Sequence, residues 1–338
     1  MSAAKEEIVR PDRTGRNYLI VGGCLACAAL VCQAHASAAA ESYPSKSVRI
    51  IVPYTPGGGI DFIGRVVAQE LAKPLGQTVL VDNRPGGSTM IGSDLVAKAA
   101  PDGHTLLVTS HTTHAFLPNT KTKAPYDADR DFEPVSLLVS QSFVLVVHPS
   151  LPATSVKQLI AIGRSRPGDL TYSSSGIGTG THFCGELLRT LAKIDIRHIP
   201  YKGGGQSFTA LAGGEVSMSF GSMPSAMPFV KAGKVRIIAV TGTKRSPAAP
   251  ELPTIAESGV PGFQMTAWSA LFAPAATPPA IAERLSAELT KAFRTPALRD
   301  RLGALGYDIE AGTPTDLRKH VVAERVMYGK LIKLIGLE

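Results

Sequence analysis

One pattern occurs twice in this chain: a short apolar run, a glycine-rich turn, then apolar residues at helical spacing. Residues 48–53 are apolar apart from Arg49, and Pro56-Gly57-Gly58-Gly59 interrupts them. Ile60, Ile63, Val67 and Leu71 then recur at helical spacing until Gly76 stops the run. Residues 78–81 give a second apolar run before the turn Arg84-Pro85-Gly86-Gly87-Ser88, a helix is expected over about 90–100, and residues 106–109 form a third strand ending at Ser110. The second copy opens with Leu170-Thr171-Tyr172-Ser173 and the turn Gly176-Ile177-Gly178-Thr179-Gly180-Thr181, followed by Phe183, Leu187, Leu188 and Leu191 on a helix. Residues 196–201, the turn Lys202-Gly203-Gly204-Gly205, a helix around 208–211 and a strand over 216–220 ending at Gly221-Ser222 complete it. Continuous apolar strands suit burial on both faces. Strands and helices alternating across short glycine turns predict an α/β architecture with a parallel sheet in each half.

Two segments are long enough to cross between the halves, residues 142–148 and 266–273. The second follows a Pro/Gly-rich stretch, 247–262, and the helices expected over 279–294, 296–305 and 313–335 would return to the first half. Two crossings make a two-strand hinge, so each lobe is defined by more than position in sequence. Lobe 1 is expected to be 43–143 plus 265–338 and lobe 2 to be 144–264. Trp268 falls at that hinge, where packing is its expected role and ligand stacking the second.

The first forty residues read as a secretory signal peptide. Arg10, Arg13 and Arg16 precede an apolar run over 18–32 and a small-residue stretch, Ala34-His35-Ala36-Ser37-Ala38-Ala39-Ala40. Cleavage after Ala36 and cleavage after Ala40 fit equally well. A lipid anchor would need Cys24, Cys27 or Cys32, and the residues before each match a lipobox poorly. Of four cysteines only Cys184 lies beyond the leader, so the mature chain has no intrachain disulfide, which suits a large periplasmic protein. No other segment is apolar enough to span a membrane.

Composition narrows the chemistry. With 6% aromatic residues and one Trp, a stacking surface for single-stranded nucleic acid is not expected, and the basic residues form no dense stripe. Lys319, Arg325, Lys330 and Lys333 are most simply the wet face of the last helix. The net charge of +8 is compatible with an anionic ligand. No turn reads G-x-x-x-x-G-K-[ST] or a clean G-x-G-x-x-G after a strand, which argues against a nucleotide. There is no G-x-S-x-G elbow near a strand end, so a hydrolase would have to use Ser174 or Ser175 with His182. His111-x-x-His114 has metal-ligand spacing but no accompanying Cys or acidic cluster, and reads better as part of a polar loop after the third strand whose hydroxyls and imidazoles can hydrogen-bond a ligand. No cofactor, metal or catalytic residue is therefore expected.

What remains is anion binding. Glycine turns between strand and helix aim backbone N–H groups beyond the sheet, and the helix dipole adds to them. If the lobes face each other, turns 56–61 and 175–182 converge on one cleft. The expected contacts are Gly57, Gly58, Asp61, Thr179, Thr181 and His182, with Tyr54, Ser110, Tyr201 and Lys202 lining. Asp61 lies in the first turn of its helix, where the dipole favours a carboxylate. It would either order the turn or accept from a ligand amine or water.

These motifs resemble the Bug (TctC-like) extracytoplasmic solute receptors of tripartite tricarboxylate transporters over nearly the whole mature length. The stretches that carry the resemblance are Val52-Pro53-Tyr54-Thr55-Pro56-Gly57-Gly58-Gly59-Ile60-Asp61, Asp82-Asn83-Arg84-Pro85-Gly86-Gly87 and Pro101-Asp102-Gly103-His104-Thr105-Leu106-Leu107. Ser173-Ser174-Ser175-Gly176-Ile177-Gly178-Thr179, Ile199-Pro200-Tyr201-Lys202-Gly203-Gly204 and residues 252–262 continue it. Gly87-Ser88 is a shorter glycine run than the family's pattern. The resemblance implies a type II periplasmic binding fold, a two-lobed clamp taking a small organic acid with water-assisted contacts. It implies delivery to membrane permease subunits, and a monomeric periplasmic receptor is expected. Two alternatives stand beside it: a ligand-binding sensor of a signalling system, and a secreted Ser/His enzyme.

Overall fold

The computed structural model describes residues 43–336; the expected leader and its cysteines lie outside the described residues. β1 (Val48–Val52) is buried except at Arg49 and leads through the first glycine turn into α1 (Gly59–Leu75). Ile63, Val67 and Leu71 of α1 face the sheet, and Gly76 closes the helix with φ +63, returning its N–H to the Lys73 carbonyl. β2 (Val79–Asn83), α2 (Met90–Ala97) and β3 (Thr105–Ser110) follow. After β3 the chain turns through a π-helical turn, Thr112–Phe116, whose residues are all buried. The polar loop expected after Ser110 is thus an interior turn. The Thr113 hydroxyl is satisfied internally, its Oγ1 lying 2.7 Å from Thr109 Oγ1 and 3.0 Å from Thr89 Oγ1.

β4 (Phe132–Ser142) and β5 (Val144–Val147) continue one another in different sheets. The single strand expected over 142–148 therefore breaks at Phe143, where the chain passes between lobes. After α3 (Val156–Ser165), the second copy of the pattern consists of β6 (Leu170–Ser174), α4 (Gly180–Ala192), β7 (Ile196–Pro200), α5 (Gly204–Ala212) and β8 (Met218–Gly221), and α6 (Met223–Lys231) and β9 (Arg236–Val240) follow it. β10 (Thr266–Pro274), α7 (Pro279–Phe293), α8 (Pro296–Gly303), β11 (Tyr307–Ile309) and α9 (Pro314–Ile335) finish the chain.

The strands form a six-stranded sheet, β11-β4-β10-β3-β1-β2, and a five-stranded sheet, β7-β6-β8-β5-β9. Each contains three parallel strands with the first in the middle, β2-β1-β3 and β7-β6-β8. Each is extended by an antiparallel strand beside its third: β10 against β3, and β5 against β8. The duplicated sequence pattern is thus a duplicated topology.

Thr241, just past β9, ties the two crossings together. Its Oγ1 accepts from the Phe143 N–H at 2.8 Å and donates to the Met265 carbonyl at 2.6 Å. Its backbone N–H and C=O pair with the same two residues, each at 2.9 Å. α9 starts with a capping box between Thr313 and Asp316 and buries Leu317, Val321, Tyr328 and Ile332. Tyr328 stacks on the His111 ring with centroids 5.1 Å apart, so the last helix supports residues just past β3. Contacts between the lobes are close enough that the described residues from Lys46 onward form one compact unit.

Candidate functional site

Four helix N-termini meet at one cavity between the lobes. It is lined by Gly58, Gly59 and Ile60 at the start of α1, by Thr179, Gly180 and Thr181 at α4, by Gly204 at α5, and by Ser222 and Ser225 at α6. First-turn amides have no acceptor inside their own helix, and each helix presents the positive end of its dipole here. The remaining walls are neutral: Tyr54, Ser110, His111, Gln141 and Phe143 among them, with no Asp, Glu, Lys or Arg in the lining. Its volume is about 50 Å³, several times what a single buried water needs. A second, outer cavity of about 280 Å³ shares Tyr54, Ser175 and Thr179 with the first and reaches Tyr201 and Lys202.

The turns are held from behind. Asp61 Oδ2 accepts from the Gly57 N–H at 3.0 Å and from Arg65 Nε at 3.1 Å. Its Oδ1 accepts from Asn83 Nδ2 at 3.0 Å and pairs with Arg65 Nη2 at 3.0 Å. Asn83 also donates to the Tyr54 carbonyl, which fastens β2 to the turn. In lobe 2, Thr181 Oγ1 accepts from the Ser175 N–H, and Thr179 Oγ1 donates to the Gly176 carbonyl. The Gly178 N–H donates to His182 Nδ1, which fixes that imidazole as neutral with its proton on Nε2. Burial also lowers the His182 pKa. His182 stacks on His198 with centroids 4.2 Å apart, and His198 Nε2 lies 2.6 Å from Ser174 Oγ.

The lobes touch. Ser225 Oγ of lobe 2 donates to the Gly57 carbonyl of lobe 1 at 3.2 Å. A β-carbon on Gly203 would overlap Thr55 Oγ1, so only glycine admits this approach. The jaw is closed over a small space floored by peptide amides.

The profile described as "Tripartite tricarboxylate transporter family receptor" matches residues 63–337. This chain belongs to that family. The solved structure "R. palustris Rpa4515 with adipate" is 35% identical, with a TM-score of 0.85 over 87% of this chain and 99% of that one. "MatC (Rpa3494) from Rhodopseudomonas palustris with bound malate" is 32% identical, with a TM-score of 0.81 over 86% and 100%. A third, "Structure of periplasmic binding protein BugD", is 30% identical, with a TM-score of 0.83 over 88% and 99%. The fold is therefore the two-lobed periplasmic binding fold, and the family's receptors are periplasmic.

Of the residues expected at the receptor's site, Tyr54, Gly58, Ser110, Thr179 and Thr181 line the inner cavity. Tyr54 stays protonated because burial raises its pKa, and its hydroxyl lies 2.9 Å from Ser110 Oγ. Tyr201 and Lys202 line only the outer cavity, and the Tyr201 hydroxyl is engaged by Glu215. Gly57, Asp61 and His182 are not in either lining. The Gly57 N–H is spent on Asp61, the Asp61 oxygens are filled by protein donors, and His182 Nδ1 is filled by Gly178. These residues order the turns from behind. Trp268 packs, its Nε1 donating to Glu324 at 2.9 Å.

The sequence offers the 202–205 turn as one of the glycine turns able to hold an anion without placing the N-terminus of α5 in the cleft, and it does not single out the N-terminus of α6, Gln141 or Phe143 as parts of the site. Gly221-Ser222 at the end of a parallel strand carried a signal for α6, but Pro224 and Pro228 hide the helix. His111 lines the cavity, whereas His114 is outside the lining, stacked on Phe272. The pair is thus not arranged as metal ligands, and no metal-ligand cluster occurs among the described residues.

Proposed function

We propose that this receptor captures a small carboxylate in the inner cavity and hands it to a membrane transporter of the tripartite class from the periplasm. One observation carries the reading: four helix N-termini converge on a cavity without a charged side chain. Backbone donors and helix dipoles favour an anion there, and no buried acid opposes it. The bound adipate and malate of two relatives support a carboxylate. The family supports transport over signalling. In our reading the lobes, 43–143 plus 265–338 and 144–264, close about Phe143 and Met265. Both walls come from one chain, which supports a monomer. Export rests on the leader.

Binding without turnover fits the geometry better than hydrolysis. Ser174 is fully buried and paired with His198, and His182 is committed to the turn. His111, the imidazole in the lining, has no hydroxyl partner. The test is thermal unfolding with a library of carboxylates and their uncharged amides, followed by calorimetry. A binding acid at a hundredfold excess over Kd stabilises by about 2.7 kcal/mol, and its amide does not. In Gly180→Ala the new β-carbon would stand 2.7 Å from the His111 ring and 2.8 Å from Phe143, so that stabilisation is expected to vanish while the fold persists. Equal stabilisation by acid and amide would defeat the reading.

A further inference from the structure

Two buried polar side chains at the inner cavity have hydrogen-bonding capacity that the protein leaves unused. His111 is 2% exposed and lines the cavity, yet neither ring nitrogen has a partner. Its ring is held by aromatic contact alone, stacked on Tyr328 and edge-on to Trp268. Gln141 is 4% exposed, lines the same cavity, and its Oε1 receives no donor. Leaving such groups unpaired in the interior is costly, so they mark where a ligand's polar atoms belong.

The chemistry of the two groups restricts those atoms. Burial holds the His111 pKa down at about 3, so the imidazole is neutral and offers one N–H and one lone pair. Gln141 Oε1 needs a donor. A carboxylate has none to give. An ammonium would be buried with no Asp or Glu in the lining to balance it. A hydroxyl donates one hydrogen bond and accepts two, and carries no charge.

We propose that His111 and Gln141 make this receptor selective for hydroxy acids, with the ligand's hydroxyl hydrogen-bonded by these side chains and its carboxylate at the helix N-termini. The inference rests on the carboxylate reading and adds the second recognition element. A site built to hydrogen-bond a hydroxyl rejects the analogue lacking it, because its own polar groups are then left unpaired.

Calorimetry with matched pairs tests it: lactate against propionate, malate against succinate, hydroxyglutarate against glutarate. In the wild-type receptor the hydroxy member of any pair that binds is expected to be tighter by about tenfold or more. In His111→Phe, which keeps an aromatic ring against Tyr328, and in Gln141→Met, the ratio within the pair falls toward one. A general loss of fold would weaken both members alike and leave the ratio alone, and either variant suffices if the other does not fold. Equal affinities within every pair in the wild type would overturn the proposal and leave the carboxylate reading standing. A ratio unchanged in the folded variants would overturn it too. If no acid binds, the carboxylate reading fails and this inference falls with it.

Discussion

Asp61 occupies a position that looks like a ligand contact and serves as a brace. Its side chain is 5% exposed and takes donors from the turn, from β2 and from the next turn of its own helix. In Asp61→Ala the Gly57 N–H and Asn83 Nδ2 lose their acceptor, and stability is expected to fall by about 2 kcal/mol in urea unfolding. Arg65→Ala is expected to cost under about 1 kcal/mol, because that guanidinium is more than half exposed. The sequence allowed both readings of Asp61, since a carboxylate in a first helical turn suits a brace and a ligand contact alike. His111 was harder to read. Ser110-His111-Thr112-Thr113-His114 is polar throughout, which suits a ligand-binding loop but does not tell which of its side chains reach the ligand. The segment is buried by the pairing of the Thr113 hydroxyl with Thr109 and by a tyrosine more than two hundred residues later, stacked on His111.

At the scale of elements, the glycine turns were legible because strand, glycine and helical periodicity follow one another within a few residues. The hinge was legible only as a long apolar run. Phe143 gives no compositional sign that β4 ends and β5 begins there, because both strands are buried. The break depends on Thr241, nearly a hundred residues away, and a lone threonine after a strand carries no such signal. Thr241→Val keeps the shape and removes the hydroxyl, leaving the Phe143 N–H and Met265 C=O without that partner. Unfolding free energy is expected to drop by about 1–3 kcal/mol. Because both crossings loosen, small-angle scattering without ligand should show a larger radius of gyration than the wild type.

The whole molecule carries a built-in sensitivity to acid. Burial lowers the pKa of His111 and of His114 to about 3; burial, then the neighbouring His182, does the same for His198. In the unfolded chain these groups titrate near 6.5. Below that pH the unfolded state binds protons that the folded state refuses. Their contribution is therefore complete above about pH 6.5 and is lost as the pH falls toward 3, at about 1.4 kcal/mol per pH unit for each. Urea unfolding at about pH 7.5 and about pH 5.5 checks this, and His114→Gln should reduce the difference by about 1 kcal/mol. The four helix starts around the cavity have a different kind of consequence. A positive field made by the main chain survives every exchange of side chain that preserves the fold. Lineages of such receptors can therefore drift from one nutrient to another by altering the neutral walls, while the appetite for negative charge is inherited with the architecture.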